Sequence, residues 1–147
     1  MEDIEWYADT FKALKIFESL GYELFVVTNQ SGVGRGYFSL ESVYVIHRQL
    51  QNDLRAHKLD VFKDFGICPH APAENCQCRK PSGQMIKDLM EKYHINSKQS
   101  YMVGDKLIDA ESGENAQIQG VIVRNKPAKE THFPYFKTLL EFAQTLK

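Results

Sequence analysis

The 147 residues, 43% of them hydrophobic, suffice for one domain that buries about 70% of its unfolded surface without disulfide staples. A formal net charge of -1, with 18 Lys and Arg and 19 Asp and Glu well mixed along the chain, excludes the one-signed footprint of a nucleic-acid or anionic-membrane binder. No apolar run reaches the ~18 residues of a membrane span, and the start Met1-Glu-Asp-Ile-Glu5 has neither the basic nor the apolar region of a secretory signal, so a small-molecule partner in the cytoplasm is expected.

Ala8, Phe11, Leu14, Phe17 and Leu20 recur at helical spacing and Gly21 follows, which predicts an amphipathic helix over residues 7–20. The β-rich run Tyr22 to Val27 then predicts a strand buried on both faces of a parallel sheet. It leads into Thr28-Asn-Gln-Ser-Gly-Val-Gly-Arg-Gly36, a polar loop with three glycines at a strand's carboxyl end, where open α/β sheets bind ligands. Thr28 and Ser31 offer hydroxyls, Asn29 an amide, and Arg35 a fork for phosphate or carboxylate. The alternative is a turn-rich exit from the sheet, and the glycines alone do not separate the two.

Ser39 is placed to cap a helix reaching about Lys58, with Leu40, Val43, Tyr44, His47, Leu50 and Leu54 on its core side. A short strand, Phe65 to Cys68, opens the most informative stretch, Cys68-Pro-His70 followed by Cys76-Gln-Cys78-Arg79-Lys80-Pro81. Three thiols and one imidazole within eleven residues are the ligand set of a closed tetrahedral Zn²⁺ site, with paired ligands one residue apart and Pro72 in the loop between. Ordinary loop residues or a disulfide are the alternatives; a Cys76 to Cys78 bridge is strained, and three cysteines make an odd count. His47, His57, His94 and His132 lack such company and read as surface or half-buried residues.

Ile86, Leu89, Met90 and Tyr93 mark a helix beginning near Gly83, its methionines serving as core filler. Ser100 to Val103 is the next strand, ending in Gly104-Asp105-Lys106 with Asp109 four residues beyond Asp105. Asp105 suits Mg²⁺, which takes one or two carboxylates plus phosphate and water. Asp109 is a second magnesium candidate, or it caps the helix running through Ala116. Gly120 to Arg124 is a further strand, residues 125–135 with Pro127 and Pro134 form a surface loop, and Leu139, Leu140, Ala143 and Leu146 suggest a closing helix. The alternation predicts a single α/β domain over residues 1–147, a three-layer sandwich with a mostly parallel, Rossmann-like sheet, although the chain opens on a helix.

The set Val26-Val-Thr-Asn-Gln-Ser-Gly32, Gly34-Arg-Gly36, Cys68-Pro-His70, Cys76-Gln-Cys-Arg-Lys-Pro81 and Tyr101-Met-Val-Gly-Asp-Lys106 resembles the haloacid dehalogenase-like (HAD-like) phosphatases of the histidinol-phosphate and D,D-heptose 1,7-bisphosphate phosphatase family. The similarity runs from about Ile4 to about Arg124. Asn29 to Gly32 and Tyr101 to Lys106 are closer to the heptose enzymes, whereas the short loop between His70 and Cys76 is like that of the histidinol enzymes. Polynucleotide 3'-phosphatases are similar at Thr28 to Gln30 and Arg79 to Pro81, but the zinc loop counts against them. The resemblance implies that Thr28 and Asn29 hold the transferring phosphoryl group, with Gln30, Ser31 and Lys106 as further phosphate contacts. Arg35 and Arg79 then face the substrate, Lys80 is the catalytic cation that neutralises phosphoryl and nucleophile, and Asp105 binds Mg²⁺. The zinc braces the loop that presents Arg79 and Lys80.

The family's first motif, an apolar strand ending in Asp-x-Asp-Gly-Thr, has no counterpart in these 147 residues, since Asp3 and Asp9 follow no apolar strand. The expectation is a chain that begins just after the chemistry, short of roughly the first thirty residues of a family member, with negligible phosphatase activity alone. In the family that strand lies between those ending here at Val27 and Val103, so two inner sheet edges are expected to be exposed. The two strands then pair directly, or another chain fills the slot and the protein oligomerises through its edges, or the chain is poorly soluble. A non-catalytic, zinc-stabilised phosphate-binding or scaffold protein is the reading from a different class.

Overall fold

The computed structural model describes residues 5–126 and 130–147. Ile4, Asp3 and Pro127 lie outside the described residues. The first helix, α1 (Thr10–Ser19), starts later than the spacing predicts, because Asp9 stands before it in a left-handed conformation (φ 67°) and Thr10 N closes a turn onto Tyr7 O at 3.2 Å. Ala8 is consequently exposed, while Ala13, Leu14 and Phe17 carry the buried face.

The strand β1 (Phe25–Asn29) is displaced from the apolar run, so Thr28 and Asn29 are its last two residues rather than part of a loop. It pairs in parallel with β2 (Asp64–Cys68), Asn29 opposite Cys68. A four-residue turn of helix, α2 (Ser31–Gly34), replaces the expected open loop, and α3 (Leu40–Ala56) follows with Ser39 accepting from Ser42 N at 3.2 Å as its cap. Along α3, Val43, His47 and Leu54 are buried but Tyr44 is exposed. His47 is therefore a core residue rather than a surface one, stacked on Phe65 of β2 with ring centroids 4.1 Å apart.

Beyond the cysteine loop, α4 (Gln84–Tyr93) begins after Gly83 as predicted and lays Met85, Ile86 and Leu89 inward. Strand β3 (Tyr101–Gly104) leads to α5 (Leu107–Asn115), whose inner face is small: Ala110, Ser112 and Gly113. That choice lets the helix lie close on the sheet, where a Cβ on Gly120 would collide with the Ala110 backbone. Strand β4 (Gln119–Val123) is next, then β5 (Tyr135–Phe136), a two-residue strand the sequence did not announce, and α6 (Leu139–Thr145). Period-two alternation along β4 sends Val121 to a core shared with α1 and α6, and Ile122 to a second one with Ala110 of α5 and Phe133. Helices thus cover both faces, giving three layers. No helix among the described residues is long and apolar enough to cross a membrane.

All described strand pairs are parallel, but they fall into two sheets, β1-β2 and β3-β4-β5. Direct pairing of β1 with β3, one of the three expectations, does not occur among the described residues. Lys63 N donates to Leu24 O at 2.7 Å and Gln30 N to Cys68 O at 2.7 Å, so even-numbered residues here turn their main chain toward β2. Phe25, Val27 and Asn29 turn theirs toward the other edge. With β2 as its one strand neighbour among the described residues, β1 is half-buried throughout instead of buried on both faces.

Candidate functional site

Cys68 closes β2 fully buried, and His70, Cys76 and Cys78 return to it across a short 3-10 turn, Pro72–Glu74, that Glu74 secures by accepting from Ala71 N. The four candidate ligand atoms all lie within 4.8 Å of one another. Cys68 Sγ is 3.4 Å from Cys76 Sγ and 3.6 Å from His70 Nδ1, and His70 Nδ1 is 3.2 Å from Cys78 Sγ. Zinc bonds of about 2.3 Å to sulfur and about 2.0 Å to nitrogen require tetrahedral edges of about 3.8 Å and about 3.5 Å, so the donor set fits zinc, with the 2.7 Å Cys68 to Cys78 edge opening by about 1 Å. Crowding also divides the thiols. Burial, then hydrogen bonds from Cys68 and Cys76, push Cys78 up to about 12; Cys76 is brought down to about 7, desolvation opposing the shift and hydrogen bonds from Cys68 and from the Arg79 backbone prevailing.

Directly after Cys78, the chain turns back over the carboxyl end of β1. The Asn29 carboxamide grips Lys80 by its main chain, accepting from Lys80 N at 3.0 Å and donating to Lys80 O at 3.4 Å. Asn29 therefore positions Lys80, a role the sequence reading did not give it. The Lys80 side chain enters the space between the two sheets, where Nζ donates to Val27 O at 3.4 Å and pairs with Asp109 Oδ1 at 2.6 Å. Arg79 Nη1, on the residue before Lys80, is buried with no hydrogen-bond partner among the described residues.

Asp109 sits at the third position of α5, and its Oδ2 accepts from Lys106 N at 3.1 Å, the capping geometry weighed against a magnesium role. With its other oxygen on Lys80, the carboxylate is engaged on both sides. Asp105 and Lys106 are exposed at the carboxyl end of β3. With Asp109 so engaged, Asp105 is the carboxylate of the two with free capacity among the described residues, and Mg²⁺ takes one or two carboxylates, completing its shell with water and phosphate. Thr28 Oγ1 accepts from Gln30 Nε2 at 3.0 Å, so these two side chains are turned on each other, while Ser31 opens α2 and Arg35 is exposed just beyond it. One required residue escaped the sequence reading. Gly104 has no room for a Cβ, which would collide with the Asp109 side chain, so a glycine at the end of β3 is what lets Asp109 fold back toward Lys80. A surface hollow of about 560 Å³ beside Tyr44, His47 and Phe65 lies on the outer side of β2, away from this constellation.

A parallel α/β sheet with a lysine between the carboxyl ends of two strands, backed by a cysteine and histidine cluster, has close relatives. The chain is 37% identical over 139 residues to the D-glycero-beta-D-manno-heptose-1,7-bisphosphate 7-phosphatase of Helicobacter pylori, covering 89% of this chain and 76% of that protein. It belongs to the HAD-like phosphatases of the heptose-bisphosphate and histidinol-phosphate family. The HAD-hydrolase-like family model matches residues 77–136. A D-glycero-alpha-D-manno-heptose-1,7-bisphosphate 7-phosphatase from Photorhabdus laumondii is 38% identical over 125 residues, 80% of this chain and 68% of that one. The bifunctional histidine biosynthesis protein HisB of Buchnera aphidicola is 34% identical over 108 residues, 74% of this chain and 30% of its own. Among solved structures, the D,D-heptose 1,7-bisphosphate phosphatase of B. bronchiseptica, complexed with magnesium and phosphate, shares the fold with a TM-score of 0.84 at 24% identity, over 95% of this chain and 82% of that one.

Proposed function

We propose that this chain is the phosphoryl-binding body of a Mg²⁺-dependent phosphomonoester hydrolase acting on a small sugar bisphosphate of the D,D-heptose 1,7-bisphosphate type. The observation that carries the proposal is the placement of the Lys80 ammonium between the ends of β1 and β3, with Arg79 Nη1 buried and unpartnered among the described residues. In this proposal residues 1–147 are one cytoplasmic domain whose three reduced cysteines and His70 hold a structural zinc. Lys80 and Arg79 neutralise the phosphoryl group, Thr28, Gln30, Ser31 and Arg35 bind it or the sugar, and Lys106 guards the entrance. Asn29 acts through Lys80. Asp105 would hold Mg²⁺, which when bound supplies charge stabilisation at the phosphoryl oxygens.

The attacking carboxylate comes from outside the described residues. Among the described residues one edge of β1 and one edge of β3 have no strand partner, and a parallel strand added there would deliver it opposite Lys80. A non-catalytic, zinc-stabilised phosphate-binding protein is the second reading, favoured by the same engagement of Asp109 with Lys80 that leaves Asp105 the free carboxylate there.

The test uses the 147-residue chain with Zn²⁺ and Mg²⁺. Calorimetry is expected to detect heptose 1,7-bisphosphate binding that Lys80→Ala abolishes, with no phosphate released, because loss of the general acid alone costs ~10²- to 10⁴-fold. Turnover would refute the missing nucleophile, and no binding would refute the phosphoryl site.

A further inference from the structure

The cysteine loop meets the anion cradle on two sides, and only one follows from chain order. Arg79 and Lys80 come directly after Cys78. The second meeting is made by α2, where Gly34 N donates to Pro69 O at 2.8 Å, midway between Cys68 and His70. Gln30 N adds its bond to Cys68 O. The fit is close: a Cβ on Gly34 would collide with Ala71 N and stand 2.7 Å from Glu74 Oε2 and 2.9 Å from Pro69 O. Gly36, two residues on, presents the opposite case, with φ 78° and nothing within 4 Å of an added Cβ. Gly36 is needed for backbone conformation; Gly34 is needed because two main chains lie against each other there.

We propose that Gly34 is a positioning residue that docks the Arg35 turn onto the metal loop, so that zinc sets both walls of the phosphate site, Ser31 to Arg35 as well as Arg79 and Lys80. The proposal rests on reading Cys68, His70, Cys76 and Cys78 as a zinc site. Metal bound to Cys68 and His70 anchors the residues on each side of Pro69, and with them the carbonyl that receives Gly34 N. Without metal that acceptor and the surface around it lose their anchor, and the Arg35 wall loosens together with the Arg79 wall.

Amide hydrogen exchange decides the matter on four samples whose zinc content is measured in parallel: the zinc-loaded chain, the same chain stripped by a chelator, and zinc-loaded Gly34→Ala and Gly36→Asn. Stripping is expected to speed exchange at residues 30–36 and 68–80 at least tenfold while β4 stays protected. Gly34→Ala is expected to speed residues 30–36 alone and to keep about one zinc per chain, whereas Gly36→Asn, which tolerates the left-handed backbone, behaves as the parent chain does. Equal exchange at residues 30–36 with and without zinc overturns the proposal even where Gly34→Ala fails to fold. An equal rise in β4 overturns it too, since zinc would then hold the whole fold. A loaded chain with no zinc overturns the metal reading itself, which the zinc measurement reports separately.

Discussion

Asp109→Asn isolates the charge that holds Lys80. The pair is almost removed from solvent, with 12% of the lysine side chain and 8% of the aspartate side chain accessible and 2.6 Å between Nζ and Oδ1. The amide is isosteric and keeps an oxygen to accept from Lys106 N, so the variant removes the carboxylate charge while leaving the helix cap. Breaking a buried pair by neutralising one member costs about 3–5 kcal/mol, because the remaining charge stays desolvated. At about 2.1 cal/mol/K of unfolding entropy per residue, a chain of this length loses about 3 °C per kcal/mol, so Tm falls by about 9–15 °C. Asp109→Ala removes the cap as well and is worse by about 1 kcal/mol. The double variant Lys80→Met, Asp109→Leu removes both charges and recovers to within about 1 kcal/mol of the parent. Urea denaturation of the four proteins at pH 7 gives the free energies, and thermal melts give the Tm shift. An Asp109→Asn variant within 1 kcal/mol of the parent would refute the reasoning, since the lysine would then be reaching water through the gap between the sheets.

Gly104→Ala drives a methyl group against both the Cβ and the carboxylate of Asp109 and costs about 1–3 kcal/mol by overpacking; Asp109→Ala removes the carboxylate but keeps the Cβ, so it relieves the clash only in part, and a double-mutant cycle in urea measures the partial coupling. His47 gives the pH dependence. Burial lowers its pKa from 6.5, so the unfolded chain takes up a proton near pH 6.5 that the folded chain resists; this stability is fully present above pH 6.5 and declines as pH falls through the lowered value. His47→Phe keeps an aromatic partner for Phe65 and is expected to flatten the fall in urea-measured stability between pH 7.5 and 5.5.

Features set by local spacing were legible in the sequence. The metal loop could be read because its four ligands lie within eleven residues, and Ser39 marks a helix start by chemistry that acts within one turn. Where a polar residue ends a strand, local chemistry misleads: Thr28 and Asn29 look like loop, yet their pairing with Ile67 and Cys68 makes them strand. The clasp of Asn29 on Lys80 joins residues 51 apart and has no local signature. Gly104 and Gly34 were invisible as spacers for the same reason, because what they make room for comes from another turn of the chain. Spacing puts His47 on the core side of α3 while its lack of neighbouring ligands reads as surface or half-buried, and the Phe65 ring decides for the core. Strand β5 has two residues, below any periodicity that could announce it.

Lys80 spans the split between the sheets with unequal hands. Toward α5 it holds a charged partner at 2.6 Å; toward β1 it holds only a neutral carbonyl at 3.4 Å, beyond the ordinary range of such bonds. In the proposed function an anion arriving between the sheets would displace the weak contact and leave the strong one intact, so the ammonium would be recruited without being released. A neutral visitor has no such exchange to offer. In the proposed function that asymmetry would favour negative groups in the gap while the charged pair keeps Lys80 tied to α5.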